Sequence, residues 1–161
     1  MPTEIERKYL VPDPSFLTAH QGIEYRQGYL SSSPEDLTIV RVRTAGSKAY
    51  LTAKGVITGI VRREYEYSVP LDEANEMLDK LCRPPLIEKM RYEIGYGGNI
   101  WEVDVFSGDN QGLVVAEIEL EGETQVFELP PWVGEEVSHD PRYFNFNLAR
   151  HPYKDWKEQK A

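Results

Sequence analysis

The opening segment of the chain, EIERKYL at 4–10, places two carboxylates and a lysine at every second position. In a β-strand alternate side chains point to the same face, so Glu4, Glu6 and Lys8 share one side of a sheet. A usual sheet packs one apolar face on a core. The charged side of this strand therefore faces either bulk water or a polar cavity.

The same alternation in later segments places further basic side chains on one face. With Lys8, this basic set comprises Arg41, Arg43, Lys54, Arg62, Lys89 and Arg91. Phosphate oxygens accept forked hydrogen bonds from guanidinium groups and pair with the point charge of lysine. The set therefore predicts an elongated polyanion as the ligand.

Acidic side chains share that face and would repel a polyanion unless divalent cations lay between them. The acidic set comprises Glu4, Glu6, Glu64, Glu66, Asp104, Glu117 and Glu119. Carboxylates and phosphate oxygens are the hard ligands that Mg²⁺ and Mn²⁺ prefer. A polyphosphate held by cations on one side and by carboxylate-bound metals on the other suits phosphoryl transfer.

Short strands must position these residues, because the alternating segments are separated by turn sequences such as AGSK and SGDNQG. The pattern predicts about eight strands. Their approximate bounds are 4–10, 24–30, 37–44, 48–54, 61–69, 86–95, 100–106 and 113–121. All but one have an apolar face and a charged face, and the charge lies on the same side throughout.

A closed sheet explains this arrangement better than an open one. An open, water-facing sheet would not need so many long charged residues in register, nor cations on some strands and carboxylates on others. About eight antiparallel strands can enclose a ligand cavity, and closure removes the sheet edges. We therefore predict a mostly β (α+β) fold, a closed and roughly eight-stranded antiparallel barrel that forms a charged tunnel, with helices over its apolar outer faces.

Two segments are predicted to be helical. The first, 71–82, has apolar residues at helical spacing, and the second, 140–150, opens with an Asp-Pro start signal. Residues 152–161 are polar and are expected to fray. Because no linker or repeat divides the chain, residues 1–161 are predicted to form a single domain.

Composition limits the class of protein. The chain has 161 residues and a formal charge of −9, with 18 Lys and Arg against 27 Asp and Glu. This balance argues against general binding to nucleic acid or anionic membranes. A lone Cys82 permits no internal disulfide, which suits a reducing cytosol. No apolar stretch approaches the roughly 20 residues that span a bilayer, so we expect a cytoplasmic protein.

The segment EIERKYL resembles the ExExK signature of the CYTH superfamily, the triphosphate tunnel metalloenzymes. Further motifs follow in the family's order over nearly the whole chain. They are YRQGYL, RVR, TAK, RREYEY, EKMRY, EVDVFSG, AEIEL and PPWVGEEVSHDPRY. The resemblance implies hydrolysis of inorganic triphosphate to pyrophosphate and phosphate inside the tunnel, assisted by a pair of Mg²⁺ or Mn²⁺ ions.

The resemblance also implies roles for individual residues. Glu4, Glu6, Glu117 and Glu119 would be the leading metal ligands, with Glu64, Glu66 and Asp104 as further ligands or orienters of water. Arg26, in the motif YRQGYL, joins the basic set as a candidate phosphate ligand. The candidate catalytic residues are Lys8, Tyr29, Glu64 and Lys89, with Tyr29 acting as a proton donor or acceptor.

Several alternatives remain open at this point. The chain could hydrolyse thiamine triphosphate or another organic or nucleoside triphosphate, act as a class IV adenylate cyclase, or bind polyphosphate without catalysis. Thiamine-triphosphatase-like and cyclase-like family members tend to have a Gln-x-Asp-x-Tyr type of stretch here, whereas Gln27 of this chain is followed by Gly28 and Tyr29 with no aspartate. A structural barrel laced with ion pairs is less favourable, because buried charge networks are costly to desolvate. The sequence leaves both a monomer and a homodimer open.

Overall fold

Eight strands form most of the regular structure of the described residues, which are 3–30, 38–55 and 58–157 of the computed structural model. They are β1 (Thr3–Leu10), β2 (Ile23–Tyr29), β3 (Ile39–Ala45), β4 (Lys48–Lys54), β5 (Val61–Ser68), β6 (Ile87–Tyr96), β7 (Asn99–Phe106) and β8 (Val114–Glu119). All pairings are antiparallel, and the strands close into a barrel in the order β1-β5-β4-β3-β2-β6-β7-β8.

The closed antiparallel barrel predicted from the sequence is confirmed. Each observed strand end lies within two residues of its predicted position. Leu37, where the third strand was expected to begin, lies outside the described residues. The strand count and bounds follow from alternation and turn residues, which are local signals.

The first strand closes the barrel by pairing on both sides. Residues 3–5 pair with β5, and residues 6–10 pair with β8. Because β1 is bonded to strands from the middle and the end of the chain, neither edge of the sheet is left open to pair with another chain. Closure therefore places Glu4, Glu6 and Lys8 on an inner surface.

The helix α1 (Leu71–Lys80) covers part of the outer surface. Its buried Ala74 and Leu78 form an apolar cluster with Val42 and Ala49 of the barrel and with Cys82. The predicted helix 71–82 is therefore correct in kind and ends two residues early. Burial of this apolar stripe gives the short helix most of its stability.

The segment 140–150 is not one helix, so that prediction was wrong. It forms a 3₁₀ turn (Pro141–Tyr143) and then α2 (Asn145–Arg150). The Asp140 side chain accepts a hydrogen bond from the Arg142 backbone N–H at 3.1 Å and caps the turn. Phe144 between the two pieces is extended, with φ −71° and ψ 134°, which breaks the helical hydrogen-bond ladder.

The C-terminal tail does not fray over 152–156, contrary to expectation. Trp156 is only 2% exposed, and its ring meets that of Tyr143 edge-on with centroids 5.1 Å apart. The sequence pattern did not indicate that Trp156 is buried, because its neighbours in the chain are polar. Residues 158–161 lie outside the described residues.

One end of the barrel interior is apolar. Ile87, Phe106 and Val115 lie on the same inward face of their strands as the charged residues. They pack with Leu148 and Trp156 from the C-terminal segment. The charged part of the interior lies beyond this cluster. Among the described residues, no helix has the length and apolar character needed to cross a membrane.

Candidate active site

Charged side chains of the barrel interior separate by sign around its wall. We call the carboxylates of four neighbouring strands (β7, β8, β1 and β5) the acidic arc: Glu102, Asp104, Glu117, Glu119, Glu4, Glu6, Glu64 and Glu66. We call the cations of β4, β3 and β6 the basic arc: Lys54, Arg41, Arg43, Lys89 and Arg91. Lys8 and Arg62 are cations on acidic-arc strands, and β2 contributes neutral Tyr25, Gln27 and Tyr29.

Two connected cavities occupy the space between the arcs. The larger measures about 420 Å³ and is lined by both arcs, and the smaller measures about 120 Å³ and is lined by Tyr29 and Phe146 among others. The two share five lining residues, which are Glu4, Glu6, Arg41, Lys54 and Asn145. The larger cavity falls within the range of about 300–1,000 Å³ typical of small-molecule sites.

Asp104 links two cations of the basic arc. Its oxygens accept hydrogen bonds from Arg91 Nε at 2.7 Å and Arg91 Nη2 at 2.8 Å, and Lys89 Nζ lies 2.8 Å away. Although burial opposes it, the pKa of Asp104 is lowered by Arg91 and Lys89. Both carboxylate oxygens are thus engaged, so Asp104 orients cations and is poorly placed to bind a metal.

Lys89 is buried, and burial makes its ammonium group easier to deprotonate. Burial lowers the pKa of this ammonium to about 7, partly offset by Asp104. Its Nζ also donates to Asn145 Oδ1 at 3.1 Å. Lys89 and Asp104 lie behind the residues that line the cavities.

Lys8 and Glu117 form a second buried pair, with Nζ and Oε1 3.3 Å apart. Lys8 Nζ also donates to the backbone oxygen of Tyr143 at 3.4 Å. Against the effect of burial, Lys8 and Arg91 lower the pKa of Glu117 to about 2. Glu117 therefore stays ionised at neutral pH.

Carboxylates near the β1–β5 and β1–β8 seams are crowded instead of paired. Burial, Glu117 and Glu4 raise the pKa of Glu6 well above its ordinary value, and burial and Glu4 raise that of Glu64 to about 7. The pKa of Glu119 is also raised, by burial and then by Glu4. A divalent cation would relieve this repulsion, and the all-oxygen donor set is of the kind that Mg²⁺ or Mn²⁺ accepts.

These carboxylates do not form a closed metal cage. Among the described residues, no three acidic, histidine or cysteine side chains converge as a metal-binding group. Lys54 Nζ lies 3.1 Å from Glu4 Oε2 and partly neutralises that carboxylate. A metal held here would therefore take some of its oxygens from a ligand or water.

The cations of the basic arc repel one another. Burial, Arg41 and Arg91 lower the pKa of Arg43 to about 10. The buried Arg41 Nε has no hydrogen-bond partner within the described part of the chain. An anion in the cavity would satisfy that donor and relieve the repulsion between guanidinium groups.

The structure corrects the assignment of Arg26. Its guanidinium lies on the outer surface and donates to Asn75 Oδ1 at 3.2 Å and Asp79 Oδ1 at 3.3 Å, both on α1. Strand alternation explains this position, because Tyr25, Gln27 and Tyr29 point inward. Apart from Lys89 and Asp104, every other predicted site residue lines at least one of the two cavities.

Sequence reasoning missed four residues of the site. Glu102 lies 3.1 Å from Arg91 Nη1, and Tyr25 lies beneath Arg91 with 4.8 Å between ring centroid and guanidinium carbon. Gln27 is fully buried in the wall, and Asn145 lines both cavities. The alternation of two could have found Tyr25, Gln27 and Glu102, whereas nothing in the sequence signals that Asn145 returns to the barrel.

The fold and the site define a closed antiparallel barrel whose interior cavity is lined by facing arcs of cations and carboxylates. Residues 2–153 match the CYTH domain family, and the chain belongs to that family. The expected membership is thereby confirmed.

Two relatives have high identity over nearly full length. The inorganic triphosphatase of Acetivibrio thermocellus is 51% identical over 158 residues, covering 98% of this chain and 100% of the relative. The inorganic triphosphatase of Nitrosomonas europaea is 39% identical over 153 residues, covering 91% and 97%.

Solved structures agree with this placement. The crystal structure of an inorganic triphosphatase is 37% identical, with a TM-score of 0.64 over 92% of this chain and 95% of that one. A Hippeastrum protein described as a putative adenylyl cyclase with dominant triphosphatase activity is 17% identical, with a TM-score of 0.57 over 74% and 80%. At that identity the likeness shows the fold alone.

Proposed function

We propose that the protein hydrolyses inorganic triphosphate to pyrophosphate and phosphate in the cavity between the two arcs. The observation that carries the proposal is that crowded carboxylates, among them Glu6, face mutually repelling cations, among them Arg43, around the interior cavities. A substrate of phosphates with divalent cations neutralises both rows at once. The names of the two relatives, at 51% and 39% identity, support the same substrate.

In this proposal the basic arc holds the phosphates. Arg41 and Arg43 lie on β3 and face the cavity, and Arg62 reaches it from β5. Asp104 holds Arg91 in a bidentate pair. The orientation of the guanidinium group is therefore fixed before the substrate binds. Fixed donors of this kind stabilise the charge of a transferring phosphoryl group.

Glu4, Glu6 and Glu119 are the proposed holders of Mg²⁺ or Mn²⁺, with Glu117 at the border between the two arcs. When bound, such ions neutralise phosphate charge and lower the pKa of a water molecule. Glu64, whose pKa is raised to about 7 by burial and by Glu4, is the proposed carboxylate to hold or release a proton near neutral pH. Lys8, paired with Glu117, is placed to neutralise the leaving pyrophosphate.

The proposal extends to the setting of the enzyme. The single Cys82 is buried and unpaired, and the chain is acidic, which supports a reducing cytosol and argues against a nucleic-acid partner. Both a monomer and a homodimer are compatible with a site built from one chain.

The test is release of phosphate from inorganic triphosphate, thiamine triphosphate and ATP, side by side, with Mg²⁺, with Mn²⁺ and with a chelator. Metal-dependent hydrolysis that favours inorganic triphosphate is the expected result. A preference for thiamine triphosphate, or a cyclic product and pyrophosphate from ATP, would reassign the substrate. Triphosphate binding without turnover would make the barrel a receptor.

A further inference from the structure

The inner face of β2 interrupts the basic arc with a buried amide. Gln27 is 0% exposed and lies between Arg43 and Tyr29. Its Oε1 accepts a hydrogen bond from Arg43 Nε at 2.8 Å, and its Nε2 donates to the Tyr29 hydroxyl at 3.1 Å. Buried polar side chains of this kind are costly unless their bonds are made, so the amide holds both neighbours in place.

The chemistry of Arg43 decides which way this amide faces. A guanidinium nitrogen only donates, so the group that meets Arg43 Nε must be the amide oxygen. The amide NH₂ then faces Tyr29, and the phenol oxygen accepts from it. The single O–H of Tyr29 is therefore directed away from Gln27.

The smaller cavity lies beside Tyr29, so an O–H directed away from Gln27 can reach it. Tyr29 lines the smaller cavity together with Lys8, Arg41 and Arg62. Among the described residues, the bond from Gln27 is the hydrogen bond that the phenol makes. The ring is held edge-on against Phe146, with centroids 5.1 Å apart. An anion among those cations would meet the phenol O–H.

The protonation state of the phenol agrees with this geometry. Burial raises the pKa of Tyr29 above its ordinary value of 10.0, although Arg41, Arg43 and Lys8 oppose the shift. At neutral pH the group is thus a phenol with a proton to share.

We propose that Gln27 is a positioning residue that makes Tyr29 a hydrogen-bond donor to a phosphoryl oxygen of the substrate, and not a proton acceptor. This inference rests on the proposed function, since it needs a phosphate in the smaller cavity. It resolves the two roles that the sequence left open for Tyr29. No covalent step passes through the phenol, which only stabilises charge on the transferring phosphoryl group.

The test reverses the polarity of one hydrogen bond. Gln27→Glu keeps an acceptor for Arg43 but draws the Tyr29 O–H toward the new carboxylate and away from the substrate. Gln27→Met removes both bonds at similar volume and leaves the O–H free. With inorganic triphosphate and Mg²⁺, we expect Gln27→Glu to lower kcat by about 10²-fold, and Gln27→Met to lower it less.

A purely structural role for Gln27 predicts the opposite order. Gln27→Met would then be the worse variant, because it leaves the buried Arg43 Nε without its partner. That order would overturn the proposal. Melting temperatures of both variants show whether lost packing contributes to the change in kcat.

The combination with Tyr29→Phe separates this role from simple charge repulsion. Tyr29→Phe alone should match Gln27→Glu in kcat, and the double variant should lose no more than either. Losses that multiply would mean that the new carboxylate repels the substrate directly, which would contradict the proposal. If Gln27→Glu does not fold, full kcat in Tyr29→Phe serves as the contrary result.

Failure of the proposed function can be told apart from failure of this inference. An unmodified protein that turns over none of the triphosphates removes the basis of both. An active unmodified protein with the reversed order of variants removes this inference alone.

Discussion

The two arcs face each other across one cavity but hold buried charge in different ways. On the side of β6 and β7, the register sets Arg91 opposite Asp104, and the two ionise together. At the β1–β8 seam the register sets Glu6 opposite Glu119, where burial, Glu117 and Glu4 raise the pKa of Glu6 and burial and Glu4 raise that of Glu119. Neighbouring strands of opposite charge neutralise each other, whereas neighbouring strands of like charge need a diffusible ion.

The difference supports the proposal that the interior binds a polyanion together with divalent cations. Lys89 and Arg91 are positioned by Asp104, a residue of the wall, before any ligand arrives. Of the crowded carboxylates, Glu4 has Lys54 Nζ at 3.1 Å, whereas the pKa values of Glu6 and Glu64 are raised by burial and by neighbouring carboxylates. In the proposed function the basic side is therefore preorganised, and the acidic side would be completed by bound cations.

The largest expected effect comes from neutralising the crowded side. Glu6→Gln should lower kcat/KM for inorganic triphosphate more than the roughly 10- to 100-fold that outer-shell changes cost in metal sites. The fold should survive, because burial, Glu117 and Glu4 all oppose the ionised form of Glu6 and raise its pKa. Steady-state kinetics against Mg²⁺ concentration and a melting curve measure both, with Arg26→Ala, on the outer surface, as the control variant. Full activity in Glu6→Gln would show that Glu6 is not one of the proposed metal ligands.

Removing a cation from the basic arc should act on binding. Arg41→Met should raise KM for triphosphate by about 10- to 100-fold, the range expected for a lost charge-assisted hydrogen bond. The unliganded protein should melt at a higher temperature, since Arg41 is a cause of the lowered pKa of Arg43. An unchanged KM, or a lower melting temperature without ligand, would contradict the view that these cations repel each other.

Without metal or phosphate, the pH dependence of stability should reflect both arcs. The pKa of Glu64 is raised from 4.5 to about 7, so the folded protein binds more protons there and Glu64's contribution to stability declines as pH rises through that interval. The pKa of Lys89 is lowered from 10.5 to about 7, so the folded protein binds fewer protons and stability recovers above neutrality. Together they predict a minimum of melting temperature near neutral pH.

Melting curves in chelator across the acid, neutral and alkaline ranges measure this minimum. Glu64→Gln should flatten the acid side and leave the alkaline side in place. A melting temperature that is highest at neutral pH in the unliganded protein would show that the arcs do not oppose each other in this way.

The smallest effect is expected outside the barrel. Arg26→Ala removes only contacts to Asn75 and Asp79 on α1, so kcat and KM should stay unchanged and the free energy of unfolding should fall by less than about 1 kcal/mol. This variant serves as a control for Arg41→Met, because it removes the same charge from the opposite face of the sheet. A raised KM would return Arg26 to the site.

How far the sequence predicts the site depends on which residues obey the alternation of two. The two-residue alternation correctly predicted that Arg41, Arg43 and Lys54 face inward. The same alternation places Gln27 of β2 inside the barrel, so assigning Arg26 to the site went against it. It could not predict Asn145, because α2 reaches the barrel through a break at Phe144 that no periodic pattern reports.

The sequence by itself determined the strands, the two faces of each strand, the family and the chemical types that line the interior, because these depend on local alternation and on motif order. Only the tertiary structure decided which charges are neighbours. The non-sequential order of strands puts β1 between β5 and β8, and register sets whether a carboxylate meets a cation or another carboxylate. The pKa shifts arise from those distances and from burial, and neither is a property of the chain read residue by residue.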